Sequence, residues 1–216
     1  MTYTTLFFDL DDTLYASGNG LWEAIRERMT LFMSERLALS VEEVRELRRN
    51  YYETYGTTLR GLQKHHQVDA DEYLAYVHNL PLSNFLRPVP RLRKLLIGLP
   101  HRKWIYTNAD ADHAGRVLDV LGLGDCFDGI IDIRAVAFAC KPERESYQRA
   151  MALAGASDPR RCVLLDDSPR NLAPAHALGF TTILVGTDRP HPAATYCLPD
   201  LFALRKVMPE LWEAKE

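Results

Sequence analysis

Short apolar runs that stop at polar residues recur along this chain. Leu6-Phe7-Phe8 stops at Asp9, Trp104-Ile105-Tyr106 at Thr107-Asn108, and Val163-Leu164-Leu165 at Asp166-Asp167. With two further runs they predict five buried strands, over Thr5–Asp9, Lys103–Asn108, Gly129–Ile133, Cys162–Asp166 and Thr181–Val185. Helical patterns separate the strands, which is the signature of a parallel α/β sheet. Ligands of such sheets bind outside the carboxyl ends of the strands. The polar residues fall on that edge, although they come from segments far apart in sequence.

The interval between the first two strands is too long for a simple crossover and reads as helices from Leu21 to about Pro81. Trp22, Ile25, Met29, Phe32, Met33 and Leu37 form one apolar stripe at helical spacing. Ser40 with Glu43 makes a capping box for the next helix. Val41, Val44, Leu47, Tyr51 and Tyr55 are its stripe, and Gly56 is placed to end it. Asp69 or Asp71 caps a third helix carrying Tyr73, Leu74 and Val77. Pro81, Pro88 and Pro90 mark the return to the sheet. The expected division is a core domain of residues 1–15 and 88–216 and a helical cap domain of residues 16–87. Beyond Gly186 the chain reads as proline-containing loop and a short helix near Leu201–Val207.

Composition narrows the class. The 216 residues are 47% hydrophobic and 25% charged, ordinary for a globular protein, and a net charge of −3 gives no support for nucleic-acid or membrane binding. No apolar run approaches the ~20 residues that span a bilayer. The first residues, Met1 to Thr5, lack the basic and apolar segments of a signal peptide. A cytoplasmic protein is expected. Cys126, Cys140, Cys162 and Cys197 are widely spaced and read as small buried hydrophobes.

Candidate chemistry follows from the strand ends. Alternation on a strand would aim Asp9 and Asp11 to one side and Leu10 into the core. Such a pair offers a nucleophile, Asp9, and an acid/base, Asp11, with a hard cation beside them. Thr13 is expected to hydrogen-bond Asp11 and hold it. Thr107, through its hydroxyl, and Asn108, through backbone N–H, are placed to receive phosphate oxygens. Lys141, followed by Pro142 at a helix entrance, is a candidate fixed cation for the phosphate and for Asp9, in contrast to a surface lysine such as Lys215. Asp166 and Asp167 suggest a Mg²⁺ site, with Asp9, the backbone carbonyl of Asp11 and Asp167 as ligands and Asp166 beside them. In the helical region Tyr51, Tyr52, Tyr55 and Arg60 are candidates to reach a base or ribose. His65 and His66 are expected to be solvated, since neighbouring helical residues diverge by ~100°.

Taken in order, D-x-D-x-T, T-N, K-P and D-D-S resemble the four motifs of the haloacid dehalogenase superfamily of Mg²⁺-dependent phosphatases. Phe7 to Tyr15, Tyr55-Gly56 with Leu59-Arg60-Gly61-Leu62, and Leu164 to Asn171 are similar to the yeast-type pyrimidine 5′-nucleotidases. The likeness runs from about Tyr3 to Gly186, and Asp12 departs from it where those relatives often carry Asn. It implies a Rossmann-like core with a helical cap inserted after the first strand. It also implies Mg²⁺ as cofactor, an aspartyl-phosphate intermediate and a nucleoside monophosphate substrate. Within the same superfamily the rivals are a sugar-phosphate or other small-metabolite phosphatase, a mutase and a haloacid dehalogenase. A receiver-like signalling module is the rival from another class, but a D-x-D pair on the first strand and a large helical insertion do not suit it.

Overall fold

The computed structural model describes residues 3–213. Met1, Thr2 and Lys215, and with them the outer limits of the expected core domain, lie outside the described residues. The five expected strands form as β1 (Thr5–Phe8), β2 (Arg102–Tyr106), β3 (Gly129–Ile131), β4 (Cys162–Asp166) and β5 (Thr181–Val185). A sixth, β6 (Tyr196–Leu198), lies in the stretch read from sequence as loop. It is short and follows Pro190 and Pro192, so its own pattern is weak. Its place is set by hydrogen bonding to β5, with Leu184 opposite Cys197. All pairings are parallel, in the order β3-β2-β1-β4-β5-β6.

The described chain divides into two compact units, one running through Ser17 and resuming at Leu86, the other spanning Gly18–Phe85. In the sheet unit β1 is central and completely buried. Alternate residues serve opposite faces. Phe7 packs edge-on against Tyr106, and on Phe180, while Phe8 meets Phe127. The Phe7 face is filled by Leu164, Leu184, Tyr147 and Leu172. The helices of this unit are α5 (Pro90–Ile97), α6 (Ala111–Leu121), α7 (Arg144–Leu153), α8 (Pro169–Leu178) and the short α9 (Leu204–Val207), the last flanked by 3₁₀ turns. Trp104 packs partly buried on β2, where the missing side chain of Gly129 makes room. A Cβ there would lie 2.5 Å from the indole.

The other unit holds α1 (Leu21–Leu37), α2 (Val41–Tyr55), α3 (Thr58–His66) and α4 (Ala70–His78). Leu21, Ile25, Phe32 and Met33 are the buried part of the α1 stripe, and Phe32 packs edge-on against Tyr73 of α4 at 5.2 Å. The capping box forms, with Glu43 N–H donating to Ser40 and the Glu43 carboxylate accepting from the Ser40 backbone. Asp69 caps α4 by accepting from Glu72 N–H. The sequence reading did not resolve α3 as a separate helix. Its cap is Thr57, directly after the Gly56 turn, so the punctuation of two helices merges into two residues. The close approach of α2 and α3 depends on Gly61, whose Cβ would sit 2.1 Å from the Tyr51 ring. Among the described residues no helix is long and apolar enough to cross a membrane.

Candidate active site

Strand register assembles the centre of the site. Phe8 of β1 lies opposite Leu165 of β4 and Ile105 of β2, so Asp9, Asp166 and Tyr106 occupy the next level along three neighbouring strands. The Asp9 N–H donates to the Leu165 carbonyl and continues the ladder one step beyond the strand. Lys141 enters at this level. Its ammonium donates to Asp9 Oδ1 at 2.7 Å, to Asp166 Oδ2 at 2.7 Å and to the Tyr106 carbonyl at 2.9 Å. The three donors of a lysine are thereby matched by three acceptors. Lys141 is 1% exposed, so an unmatched charge there would be severely penalised. The sequence placed it at a helix entrance. It stands two residues before Glu143, the N-cap of α7.

Asn108 holds the backbone of Lys141 on both sides. Its side-chain amide donates to the Lys141 carbonyl at 3.0 Å, and its carbonyl oxygen accepts from Lys141 N–H at 2.9 Å. Thr107 is buried and its hydroxyl oxygen accepts from Ala109 N–H. Asp166 is fully buried. Besides Lys141 it accepts from Ser168 N–H and from the Asn171 side chain, while Asp167, beside it, faces outward.

Asp9 and Asp11 do not share a strand face, contrary to the strand alternation expected from sequence. β1 ends at Phe8, and Thr13 and Leu14 turn back to bond the Leu10 carbonyl. Asp12 sits in this turn at φ 57°, a left-handed conformation that Asp and Asn tolerate better than most residues. That geometry accounts for an acid at the position where the resembled sequences often carry Asn. Leu10 is buried as expected. The turn also reassigns Thr13, which donates to Asp9 Oδ2 at 3.3 Å and not to Asp11. In a helical-type turn, residues four apart meet, which pairs Thr13 with Asp9 and Tyr15 with Asp11. Tyr15 donates to Asp11 Oδ1 at 2.5 Å, and His113 Nε2 lies 3.2 Å from the same oxygen.

Asp9, Asp166 and Asp167 each present a carboxylate oxygen within 4.8 Å of the others. Lys141 supplies one positive charge to three carboxylates. Burial, reinforced by Asp166 and Asp167, holds the Asp9 carboxyl well above its ordinary range despite the lysine. Desolvation of the side of its carboxyl turned to the cluster, and the neighbouring Asp166, likewise push Asp167 up to about 7. Burial opposes the charge on Lys141, but Asp166 and Asp9 outweigh it and keep the ammonium protonated. With all three carboxyls ionised the cluster would carry more negative charge than Lys141 offsets, on hard oxygen donors, which fits a divalent cation such as Mg²⁺.

The remaining sequence candidates lie in the helical unit. Tyr51 is buried and Tyr52 is exposed. Tyr51 and Tyr55, one turn apart on α2, engage His66 and His65 of α3 at 2.8 and 2.7 Å, and Tyr51 stacks on His65. The histidines are exposed but not simply solvated as expected. Their angular divergence is matched by the spacing of the two tyrosines. Arg60 lies in the first turn of α3, its N–H bonded to the Thr57 cap. Neither Tyr15 nor His113 was singled out from sequence as a site residue. Tyr15 was legible as the i+4 neighbour of Asp11, whereas His113, 102 positions away, carried no local signal.

A parallel sheet in this strand order, with carboxylates, a buried lysine and a threonine gathered at its carboxyl edge, defines a class of hydrolytic enzyme. The family model described as haloacid dehalogenase-like hydrolase matches residues 3–179, and the chain belongs to that family. It is similar to Phosphate metabolism protein 8 of Saccharomyces cerevisiae, with 30% identity over 192 residues, 82% of this chain and 60% of that protein. The chain thus spans less than two thirds of that relative's length. Among solved structures it resembles the haloacid dehalogenase-type hydrolase YfnB from Bacillus subtilis bound to magnesium. The TM-score is 0.66 at 16% identity, over 97% of this chain and all of that one. A haloacid dehalogenase-type phosphatase from Thermococcus onnurineus gives 0.61 at 21% identity, over 95% and 97% of the two chains. At these identities the structural likeness establishes the fold.

Proposed function

We propose that this chain is a Mg²⁺-dependent phosphomonoesterase acting through an aspartyl-phosphate on Asp9, with a pyrimidine nucleoside 5′-monophosphate as substrate. The carrying observation is the separation of roles at the end of β1. Asp9 is bonded to a buried lysine, and Asp11, two positions on, is held by a different pair of donors. One carboxylate is thus oriented as nucleophile and the other as acid/base.

In the first step an Asp9 oxygen attacks phosphorus, and the bond to the ester oxygen breaks. That oxygen keeps the electron pair and takes the proton from Asp11, leaving as alcohol. In the second step Asp11 takes a proton from water as the water oxygen attacks phosphorus. The bond to Asp9 breaks, and phosphate and the Asp9 carboxylate are released. Lys141 keeps Asp9 oriented and offsets charge on the transferring group. Thr107, whose oxygen already accepts from Ala109 N–H, has its hydroxyl hydrogen to give to a phosphate oxygen, and Asn108 offers backbone N–H. Asp9, Asp167 and the backbone carbonyl of Asp11 would hold Mg²⁺, with Asp166 behind them. The cation would supply charge neutralisation at the phosphoryl oxygens.

The nucleotide part of the reading rests on the sequence likeness at Tyr55-Gly56 and Leu59 to Leu62, with Arg60 as the group that binds base or ribose. A halide leaves without a proton, so the two donors on Asp11 favour an ester over a haloacid. The test is phosphate release from nucleoside and sugar monophosphates with Mg²⁺, alongside Asp9→Asn. Activity highest on UMP and CMP, and lost in the variant, is expected. Near-wild-type turnover by pure Asp9→Asn would remove the covalent mechanism. Sugar phosphates or purine nucleotides outperforming UMP would remove the substrate assignment alone.

A further inference from the structure

The turn after β1 presents one carboxylate oxygen, Asp11 Oδ1, to two donors of different origin. Tyr15 comes from the same turn, its hydroxyl 2.5 Å away. His113 comes from the first turn of α6, with Nε2 at 3.2 Å and no exposed surface. An ionised carboxylate only accepts, so the Nε2 facing it carries the hydrogen. The start of α6 is itself anchored twice. Asp110 accepts from His113 N–H at 2.9 Å, and Asp132 accepts from Ala111 N–H at 3.0 Å. Asp132 also accepts from Ala135 N–H, and Ile133 N–H reaches the Ala109 carbonyl. His113 is therefore delivered by a helix end locked to the loop after β3, and its position does not depend on the turn that carries Asp11.

We infer that Tyr15 and His113 are positioning residues for Asp11 and decide which of its oxygens moves the proton. Two donors on Oδ1 hold the negative charge there and fix the carboxylate plane. The proton given to the departing ester oxygen is accordingly carried on Oδ2, and Oδ2 takes the proton from water in the second step. The bonds of the reaction remain those given above. Only the oxygen that carries the proton, and the side chains that select it, are added. Tyr15 and His113 touch neither phosphorus nor the leaving oxygen. They act by restricting the rotation of Asp11, as preorganised groups do for proton transfer. This assignment rests on the phosphomonoesterase reading.

The experiment compares kcat/KM for two esters, glycerol 3-phosphate and p-nitrophenyl phosphate, in His113→Ala, His113→Gln and Tyr15→Phe. The quantity kcat/KM reads only through departure of the alcohol. An alkoxide needs the proton to leave and p-nitrophenolate does not. For His113→Ala and Tyr15→Phe the alkyl ester is expected to lose about tenfold more than the aryl ester, because general acid catalysis contributes on the order of 10²–10⁴. His113→Gln, which restores an N–H donor, is expected to recover most of the difference. Equal losses on both esters, or no loss on either, would overturn the positioning role. If His113→Ala does not fold, Tyr15→Phe decides alone, since it deletes one oxygen. UMP, run beside the two esters, reports on the enzyme class: absence of phosphate release from UMP and from both esters by the wild-type protein would overturn the phosphomonoesterase reading itself and is distinct from both results.

Discussion

At the end of β1 the polar side chains are charged, buried and bonded at nearly every donor. Between α2 and α3 they are uncharged phenols meeting imidazoles that are open to water. Lys141 has three partners within 2.9 Å and almost no exposed area. His65 and His66 each meet one tyrosine hydroxyl and a tyrosine ring, and both are exposed to water. The first arrangement is expensive to disturb, because any lost partner leaves a desolvated charge. The second tolerates change, because water replaces what is removed. A substitution of similar size should therefore have unequal consequences in the two regions.

The largest effect is expected from Lys141→Ala. It strands Asp9 and Asp166 without a cation and should reduce kcat at least a hundredfold, about 3 kcal/mol of transition-state stabilisation. The exposed Lys206→Ala should leave kcat near wild type. Equal, small losses would mean that the buried triad contributes little, and the contrast between the regions would fail.

Next in size is the response to Mg²⁺. A cation that binds only the folded cluster at a hundred times its Kd stabilises by about 2.7 kcal/mol. The rise in Tm should vanish with chelator and shrink in Asp167→Ala. Its pH dependence follows from Asp167. The carboxyl is near 7 in the fold and about 3.9 in an unfolded chain, so the folded state holds the extra proton between those values. Stability from that proton is complete below about 4 and is lost as pH rises through about 7. Mg²⁺ needs the ionised form, so its Tm shift should be larger at pH 8 than at pH 6. A shift independent of pH would place the cation elsewhere.

Gly61→Ala probes the helical unit through packing alone. A methyl 2.1 Å from the Tyr51 ring must push α2 and α3 apart, at about 1–3 kcal/mol. Thermal melting measures it. An unchanged or higher Tm, as the better helix propensity of Ala alone would produce, would show that the two helices yield easily.

The smallest effect concerns Arg60→Ala. It should lower the preference for UMP over AMP a few-fold, and do so more than it harms cleavage of p-nitrophenyl phosphate. An unchanged preference would remove Arg60 from substrate recognition.

Much of this could be read along the chain. Apolar runs located β1, β2, β3, β4 and β5, because burial on a central sheet imposes a pattern that needs no partner to be visible. Ser40 with Glu43 and Asp69 announced helix starts by the same local logic, since a cap and the groups it satisfies lie within one turn. The order of Asp9, Asp11, Thr107, Lys141, Asp166 and Asp167 was enough to suggest a family. What the linear order could not hold was who bonds whom. Strand register, not spacing, put Asp9 level with Tyr106 and Asp166 and made Lys141 their common donor. A turn in place of a continued strand gave Thr13 to Asp9 and Tyr15 to Asp11. β6 exists through its ladder with β5, and His113 reaches Asp11 only because α6 is pinned beside the edge of the sheet. Periodicity and capping depend on neighbours a few residues away and are written in the sequence. Pairing between groups a hundred residues apart depends on the closed fold, and only the tertiary structure decides it.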